Sequence, residues 1–217
     1  MRVIRIAALV LLVQTIIWIV LTGISLRGID ASWTGREYVA WAAHPDIFYL
    51  GNYMNAALLT VTAVVLFSAL YSHFSGMDMA LAVVAWSFVP VYGMLNLVSY
   101  SLQLKEVPDL ARQAAGNPGM EFLVAHLIQA NSASLLAFLN GLAYALLAIP
   151  SVLFGRMLIA DSRKYSGAFL MLNGFCCIVG FAGYIAGSAL VASGVALGGI
   201  LFMISLGFMI WEFDPAG

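Results

Sequence analysis

Hydrophobic residues in this chain occur in six long, nearly uninterrupted segments rather than in short or alternating clusters. The segments cover residues of about 4–25, 47–71, 79–103, 131–154, 167–192 and 195–212. Each segment can cross a hydrocarbon core of about 30 Å at a helical rise of about 1.5 Å per residue. Because backbone groups cannot stay unpaired in lipid, each segment is expected to be helical. The pattern predicts an all-α fold, a polytopic transmembrane bundle of about six helices forming a single domain over residues 1–217.

The first segment resembles a signal peptide because Arg2 and Arg5 precede its apolar residues. Its apolar part continues to about Ser25, however, and a cleavable signal has an apolar core of only about 7–15 residues. We therefore interpret this segment as the first membrane span.

Basic residues indicate the orientation of the bundle. A cytoplasmic N-terminus places five of them beside span ends on the inner side, namely Arg2, Arg5, Arg156, Arg163 and Lys164. The other four then lie in long outer loops among acidic residues, namely Arg27, Arg36, Lys105 and Arg112. Long loops count less in the positive-inside rule. The pattern favours a multi-pass protein of the cell membrane with a cytoplasmic N-terminus.

Two long connections, at about 26–46 and 104–130, share the predicted outer side. Residues 34–41 have a helical composition, with aromatic residues suited to the membrane interface. After the chain break at 117–119, residues 120–129 are predicted to form a helical segment on the membrane surface or an extension of the fourth span. The two connections together predict a partly helical cap over the outer end of the bundle.

The overall composition agrees with a membrane protein. Hydrophobic residues make up 63% of the chain and charged residues 9%, whereas soluble domains carry about 25% charged residues. The mean hydropathy is +1.00. The expected partners are therefore membrane lipids, and the net charge of -1 offers no basic face for nucleic acid.

Glycines at four-residue spacing mark the last two spans. Gly183 and Gly187 form one such pair, and Gly194 and Gly198 form another. Small residues at this spacing let two helix backbones approach closely in lipid. They are interpreted either as a homo- or hetero-oligomer contact or as tight packing between spans 5 and 6 within the chain.

The middle of the spans carries no Asp, Glu, Lys, Arg or His. Ionisable groups at depth usually mark proton relays, ion paths and coupled transport. A proton pump, a sodium-coupled carrier or a voltage sensor is therefore hard to support.

Uncharged polar residues do occur at depth and are the first candidate site. A pocket for a neutral or weakly polar ligand is predicted from Asn55, Tyr92, Asn96, Asn140 and Tyr144. The alternative is that these side chains form interhelical hydrogen bonds, each contributing about 0.6 kcal/mol.

A metal site in the outer loops is the second candidate. Imidazoles and carboxylates that could bind zinc are supplied by His44, Asp46, Glu121 and His126. Zinc there could activate water against a lipid ester or amide. Their spacing matches no metal motif, so solvated loop residues are the alternative, and no cofactor is predicted. His73, in a short inner loop, is also expected to be solvated.

Two stretches resemble a group of uncharacterised bacterial and archaeal membrane proteins, the domain of unknown function DUF4386. One stretch is 66–71, Leu-Phe-Ser-Ala-Leu-Tyr, before a short turn and an alanine-rich span. The other runs from Gly141 to Gly187 and contains the 154–157 sequence Phe-Gly-Arg-Met before a basic turn. The chain departs from that group before the fifth span, where Arg163-Lys164-Tyr165 replaces a Pro-Arg pair. That group has no established activity, so the resemblance implies a six-helix membrane fold and says nothing about catalysis.

Together these features predict a bundle that binds, senses or passes a small neutral or lipidic molecule through a pocket opening toward the cap. A metal-dependent interfacial hydrolase is an alternative, although no Gly-x-Ser-x-Gly or His-Glu-x-x-His motif supports an enzyme. An accessory subunit of a larger membrane complex is a further alternative.

Overall fold

The computed structural model describes residues 1–30 and 32–214 and is all-helical over this part of the chain. The helices are α1 (Arg2–Ser25), α2 (Gly35–Ala42), α3 (Ile47–Phe74), α4 (Met79–Ser87), α5 (Val89–Leu104), α6 (Glu106–Ala114), α7 (Pro118–Ala125), α8 (Leu135–Ala160), α9 (Lys164–Ile185), α10 (Ala189–Ala192) and α11 (Gly194–Glu212). Six segments are long and apolar enough to cross a membrane, with α4 and α5 together forming the third. The predicted fold class and the six apolar helices are therefore confirmed.

Two helix boundaries have clear local causes. The third span is interrupted at Phe88, just before Pro90, which lacks an N–H and disfavours a continuous helix through its position. Helix α9 ends at Ile185, well before the predicted residue 192, because Gly187 adopts a left-handed conformation with φ of 68°. The N–H groups of Gly187 and Ser188 donate to the carbonyls of Tyr184 and Gly183, which closes the helix end.

The charged residues and histidine of the six spans lie only near helix ends within the described residues. They are Arg2, Arg5, His73, Arg156, Lys164 and Glu212. This distribution agrees with the predicted absence of ionised groups at mid-depth.

The chain divides into two compact units, which are described separately. Unit 1 contains Met1–Thr15, Val61–Met94 and the chain from Leu142 onward, and unit 2 contains Ile16–Thr60 and Leu95–Gly141. Helices α1, α3, α5 and α8 each contribute residues to both units. The single transmembrane domain predicted from the sequence stays a prediction.

Glycines let the helices of unit 1 pack at backbone distance. A Cβ atom added to Gly167 of α9 would lie 2.5 Å from the carbonyl oxygen of Gly155 of α8. One added to Gly180 of α9 would lie 2.5 Å from the backbone nitrogen of Val195 of α11. Real Cβ atoms do not approach backbone this closely, so these positions require glycine.

The four glycines predicted for oligomer contact have different surroundings. Gly194 and Gly198 face α9 of the same chain, where their nearest atoms belong to Cys176, Cys177, Asn173 and Gly180. Gly183 is buried, and Gly187 terminates α9. Within the chain, packing between α9 and α11 thus uses two of them directly, and oligomerisation stays a prediction.

The N-terminus of α9 is closed by a residue from the end of α11. The Glu212 carboxylate accepts hydrogen bonds from the backbone N–H groups of Tyr165, at 3.2 Å, and Ser166, at 3.3 Å, and from the Ser166 hydroxyl. Free N–H groups and the helix dipole both favour a negative charge at this position. This contact therefore joins the start of the fifth span to the end of the sixth.

Three short helices of unit 2, α2, α6 and α7, pack against one another. We call them the three-helix cap. Their common core contains Val39, Ala42, Val107, Ala111, Val124 and Ala125, all nearly inaccessible to solvent. The helix predicted at 120–129 is present as α7 but ends at Ala125, and the chain turns before α8 begins. Helix α6 was not predicted from the sequence.

A capping box starts α2 and makes it sensitive to acid. The Glu37 carboxylate accepts hydrogen bonds from the Thr34 backbone N–H, at 2.7 Å, and from the Thr34 hydroxyl. These bonds lower the pKa of Glu37 below its ordinary 4.5. Their stabilising contribution is therefore present above the unfolded pKa and is lost as the pH falls through the folded pKa.

We expect the amides of α2 to lose protection against hydrogen exchange below about pH 4, after correction for intrinsic rates, because protonated Glu37 is a poorer acceptor. Glu37→Gln should remove this pH dependence and leave protection constant across the same range. Equal acid sensitivity in the two proteins would contradict the prediction.

Candidate functional site

Polar side chains line one buried face of α5. In unit 2 they are Asn96, Ser99, Tyr100 and Gln103, none more than 3% exposed. Their positions repeat at three and four residues, so they share one side of the helix. Tyr92, one turn earlier on the same face of α5, is also buried and belongs to unit 1.

Aromatic rings from α2, α3 and α5 follow one another in contact along this face. The ring centroids of Trp41 and Tyr49 are 5.0 Å apart, those of Tyr49 and Tyr53 are 4.9 Å apart, and those of Tyr53 and Tyr100 are 6.3 Å apart. These distances are typical of edge-to-face and tilted aromatic pairs. We call Trp41, Tyr49, Tyr53 and Tyr100 the aromatic column.

Hydrogen bonds connect the aromatic column to the chain around it. The Tyr49 hydroxyl donates to the backbone carbonyl of Gln103 at 3.1 Å and to its side-chain Oε1 at 3.2 Å. The Gln103 Nε2 donates to the carbonyl of Leu127 at 2.7 Å. The Tyr100 hydroxyl donates to Asn140 Oδ1 at 2.9 Å. Thus α3, α5, α8 and the chain after α7 share one polar network in unit 2.

Asn96 is the exception in this face because its amide has no hydrogen-bond partner among the described residues. Its side chain is fully buried, and neither Oδ1 nor Nδ2 makes a hydrogen bond. Ser99, by contrast, donates to the Leu95 carbonyl at 2.8 Å. Leaving a buried polar group unsatisfied costs about 1–3 kcal/mol in proteins. Within the described residues, this cost is not offset at Asn96.

Small residues of α3 lie level with Asn96 of α5. Helices α3 and α5 are antiparallel, and the contact between Tyr53 and Tyr100 fixes their register. One turn deeper, Asn96 on α5 is therefore level with Ala56 and Ala57 on α3. At this level α3 therefore carries two methyl-sized side chains.

The five residues of the predicted pocket are divided between the two units. Asn55, Asn96 and Asn140 belong to unit 2, where Asn140 accepts the hydrogen bond from Tyr100. Tyr92 and Tyr144 belong to unit 1, where their ring centroids are 5.9 Å apart. Sequence reasoning missed Tyr49, Tyr53, Ser99, Tyr100 and Gln103. The three- and four-residue spacing of polar positions from 92 to 103 was the signal that could have found the α5 members.

The four predicted metal ligands are used in local contacts or exposed. Asp46 accepts a hydrogen bond from the Tyr49 backbone N–H at 2.7 Å, and Glu121 accepts one from Gly116 at 3.0 Å. His126 Nδ1 contacts the Phe122 carbonyl at 2.8 Å, and His44 is exposed. Over residues 1–30 and 32–214, no three or more His, Cys, Asp or Glu residues come together as a metal site.

A second polar cluster lies in unit 1 and corrects the expectation for His73. This residue is in the last turn of α3, and its Nε2 is 3.0 Å from Asp161 Oδ2, with both side chains about three-quarters buried. Asp161 also accepts from Arg163, whose guanidinium stacks on Phe213 at 4.0 Å. His73 is thus paired rather than solvated. We call His73, Asp161, Arg163 and Phe213 the charged cluster.

Burial lowers the pKa of Arg163, and the nearby Glu212 carboxylate opposes this shift. Arginine remains protonated in proteins, so Arg163 carries a positive charge. That charge gives the Asp161 carboxylate a constant partner, whichever form His73 adopts.

A shallow apolar groove of about 300 Å³ lies elsewhere in unit 1, between α1 and α3. Its lining includes Val3, Ile6, Val10, Val61 and Val65. With a single hydroxyl, from Thr62, it offers little for recognition of a polar molecule.

No protein-family model, curated protein or solved structure matches this chain. The resemblance to DUF4386 stays a prediction.

Proposed function

We propose that this chain is an integral membrane protein that binds a small, uncharged molecule at Asn96, beneath the three-helix cap. The observation that carries the proposal is the fully buried amide of Asn96, which makes no hydrogen bond within the described chain. A bound molecule would supply the missing partner. The remaining polar groups of this face, in Ser99, Tyr100 and Gln103, already have theirs.

Lipid as the surrounding solvent is supported by the outer surface of α1. Large aliphatic side chains are exposed along its length, including Val3 at 57%, Ile6 at 50%, Ile16 at 52% and Val20 at 55%. Exposed apolar area on this scale is unfavourable in water at about 25 cal/mol per Å². The distribution of Lys and Arg supports a cytoplasmic N-terminus, which would place the cap outside.

The chemistry of the site favours a neutral ligand with a donor and an acceptor. A primary amide offers two N–H donors and one carbonyl acceptor, and Asn96 has both kinds free. The charged residues of the spans lie near helix ends, so no described side chain within a span would neutralise an ion at this depth. A carboxamide, a hydroxyl compound or a protonated carboxylic acid would satisfy the amide without burying a charge.

The first test is to extract small molecules from the purified protein and identify them by mass spectrometry, comparing wild type with Asn96→Leu. We expect the wild type to retain a molecule that the variant loses at least about tenfold, because one or two hydrogen bonds to a buried amide are removed. Equal recovery from both proteins would overturn the proposal.

The matched control is Asn52→Leu. Asn52 is also a buried asparagine of unit 2, but it accepts a hydrogen bond from Thr22 at 2.9 Å. Its replacement should lower stability by about 1 kcal/mol and keep the molecule. After the molecule is removed, Asn96→Leu should instead be more stable than wild type by about 1–3 kcal/mol, since an unsatisfied amide is gone. Destabilisation of the emptied protein by Asn96→Leu would show that Asn96 already has a protein partner.

A further inference from the structure

We infer that Gln103 holds the chain that follows α7 closed over the Asn96 site and thereby controls access to it. This inference rests on the proposed function, because it assigns a role in access to the same site. Gln103 is placed here as a positioning residue, since it acts by holding the chain after α7 and not on the bound molecule.

Both the nitrogen and the oxygen of the Gln103 side-chain amide form hydrogen bonds to the chain that follows α7. Its Nε2 donates to the Leu127 carbonyl at 2.7 Å, while its Oε1 accepts from the Gln129 backbone N–H at 3.4 Å. Oε1 also accepts from the Tyr49 hydroxyl at 3.2 Å. The side chain is fully buried. One residue of α5 therefore joins the chain after α7 to α3.

The three-helix cap is held together by its own core, independently of Gln103. Its own buried core joins α2, α6 and α7. Gly35 of α2 lies so close to Ala125 of α7 that a Cβ atom added there would be 3.1 Å from the alanine Cβ. Loss of the Gln103 bonds would therefore release the chain after α7 without dismantling the cap itself.

The aromatic column connects this closure to the site. Tyr49, bonded to Gln103, contacts Tyr53, which contacts Tyr100. Asn96 lies one helical turn below Tyr100. A molecule entering after the Gln103 bonds open would pass over tyrosine rings, which combine an apolar face with a hydroxyl, before reaching the Asn96 amide.

The test measures entry of a hydrophilic maleimide at Ala56→Cys, in a protein whose own cysteines are replaced by Cys176→Ala and Cys177→Ala. Ala56 is 2% exposed and level with Asn96. Gln103→Met keeps the size of the side chain and removes its hydrogen bonds. We expect it to raise the labelling rate by roughly twentyfold to a hundredfold, because each lost bond shifts the opening equilibrium about fivefold.

Two matched substitutions distinguish loss of the Gln103 hydrogen bonds from a general loss of packing. Gln129→Met makes the same change on the partner segment but leaves the backbone N–H that Gln103 uses, and it should not alter the rate. Tyr49→Phe removes the hydroxyl that bonds Gln103 from α3 but leaves the bonds to Leu127 and Gln129, so it should raise the rate less than Gln103→Met does. A second reporter, Ala82→Cys in unit 1, is fully buried and should label slowly in every variant.

An unchanged rate at position 56 in folded Gln103→Met would overturn the inference, and so would an equal rise at position 82. Labelling requires no bound molecule, so the labelling rates test only whether Gln103 controls access. Loss of the co-purified molecule in Asn96→Leu tests only whether Asn96 binds that molecule. The failure of one proposal is therefore distinguishable from the failure of the other.

Discussion

Gly180→Ala should destabilise the protein by about 1–2 kcal/mol. The added methyl carbon would lie 2.5 Å from the backbone nitrogen of Val195 and 3.0 Å from the carbonyl carbon of Gly194. Backbone atoms cannot rotate away as a side chain could, so α9 and α11 must separate. Overpacking of this kind costs about 1–3 kcal/mol, and the preference of helices for alanine over glycine offsets only about 0.5–1 kcal/mol.

Gly199→Ala is the matched control. Gly199 lies on α11 beside the packed Gly198, but a Cβ atom there would have no neighbour within 4 Å. We expect this variant to be more stable than wild type by up to about 1 kcal/mol, because alanine loses less backbone entropy in a helix. Reversible unfolding of both variants in the same detergent micelles measures the difference. Similar stabilities for the two alanine variants would contradict the packing described for α9 and α11.

Asp161→Asn should lower stability by about 2 kcal/mol. The substitution leaves the charge of Arg163 without its carboxylate, although that guanidinium is only 15% exposed. It also weakens the contact to His73, which joins the end of α3 to the turn before α9. Breaking a fully buried ion pair costs about 3–5 kcal/mol, and the partial exposure of this one reduces the expected loss.

Asp214→Asn provides the comparison for the charged cluster. Asp214 pairs with Arg5 at 2.8 Å, but the two side chains are 34% and 39% exposed. The expected loss is below about 1 kcal/mol and should shrink further in high salt. Unfolding of the two variants at low and high salt separates the pairs. If Asp214→Asn lowered stability more than Asp161→Asn, the conclusion that the charged cluster stabilises the protein more than the Arg5–Asp214 pair would be wrong.

The six long apolar helices were predictable because lipid imposes a simple requirement on sequence. A span must be apolar for about 20 residues, so the length of each hydrophobic run indicates a helix directly. The largest boundary error came at Gly187, where a left-handed glycine ends α9 inside a run that remains apolar beyond it. Hydrophobicity indicates which residues can lie in lipid, whereas the end of a helix depends on local backbone conformation.

The candidate site was only partly predictable. The sequence indicates how deep a residue lies within a span, but it does not indicate which neighbouring helix its side chain faces. Asn96 was recognised from its position in the third span. Tyr49 and Gln103 were not, because they lie near helix ends, where polar residues are usually solvated. Their mutual hydrogen bond depends on how α3 and α5 face each other, which an apolar helix pattern does not specify. The pairing of His73 with Asp161, 88 residues away, is likewise tertiary.

The carboxylate that closes α9 has a consequence for the order of biosynthesis. Glu212 follows Ser166 by 46 residues, so a ribosome moving at about 5–20 residues per second supplies it about 2–9 seconds later. During that interval the N–H groups in the first turn of α9 lack the hydrogen-bond acceptor that Glu212 later provides. Helices α9 and α11 therefore complete their folding together, after Glu212 has been synthesised.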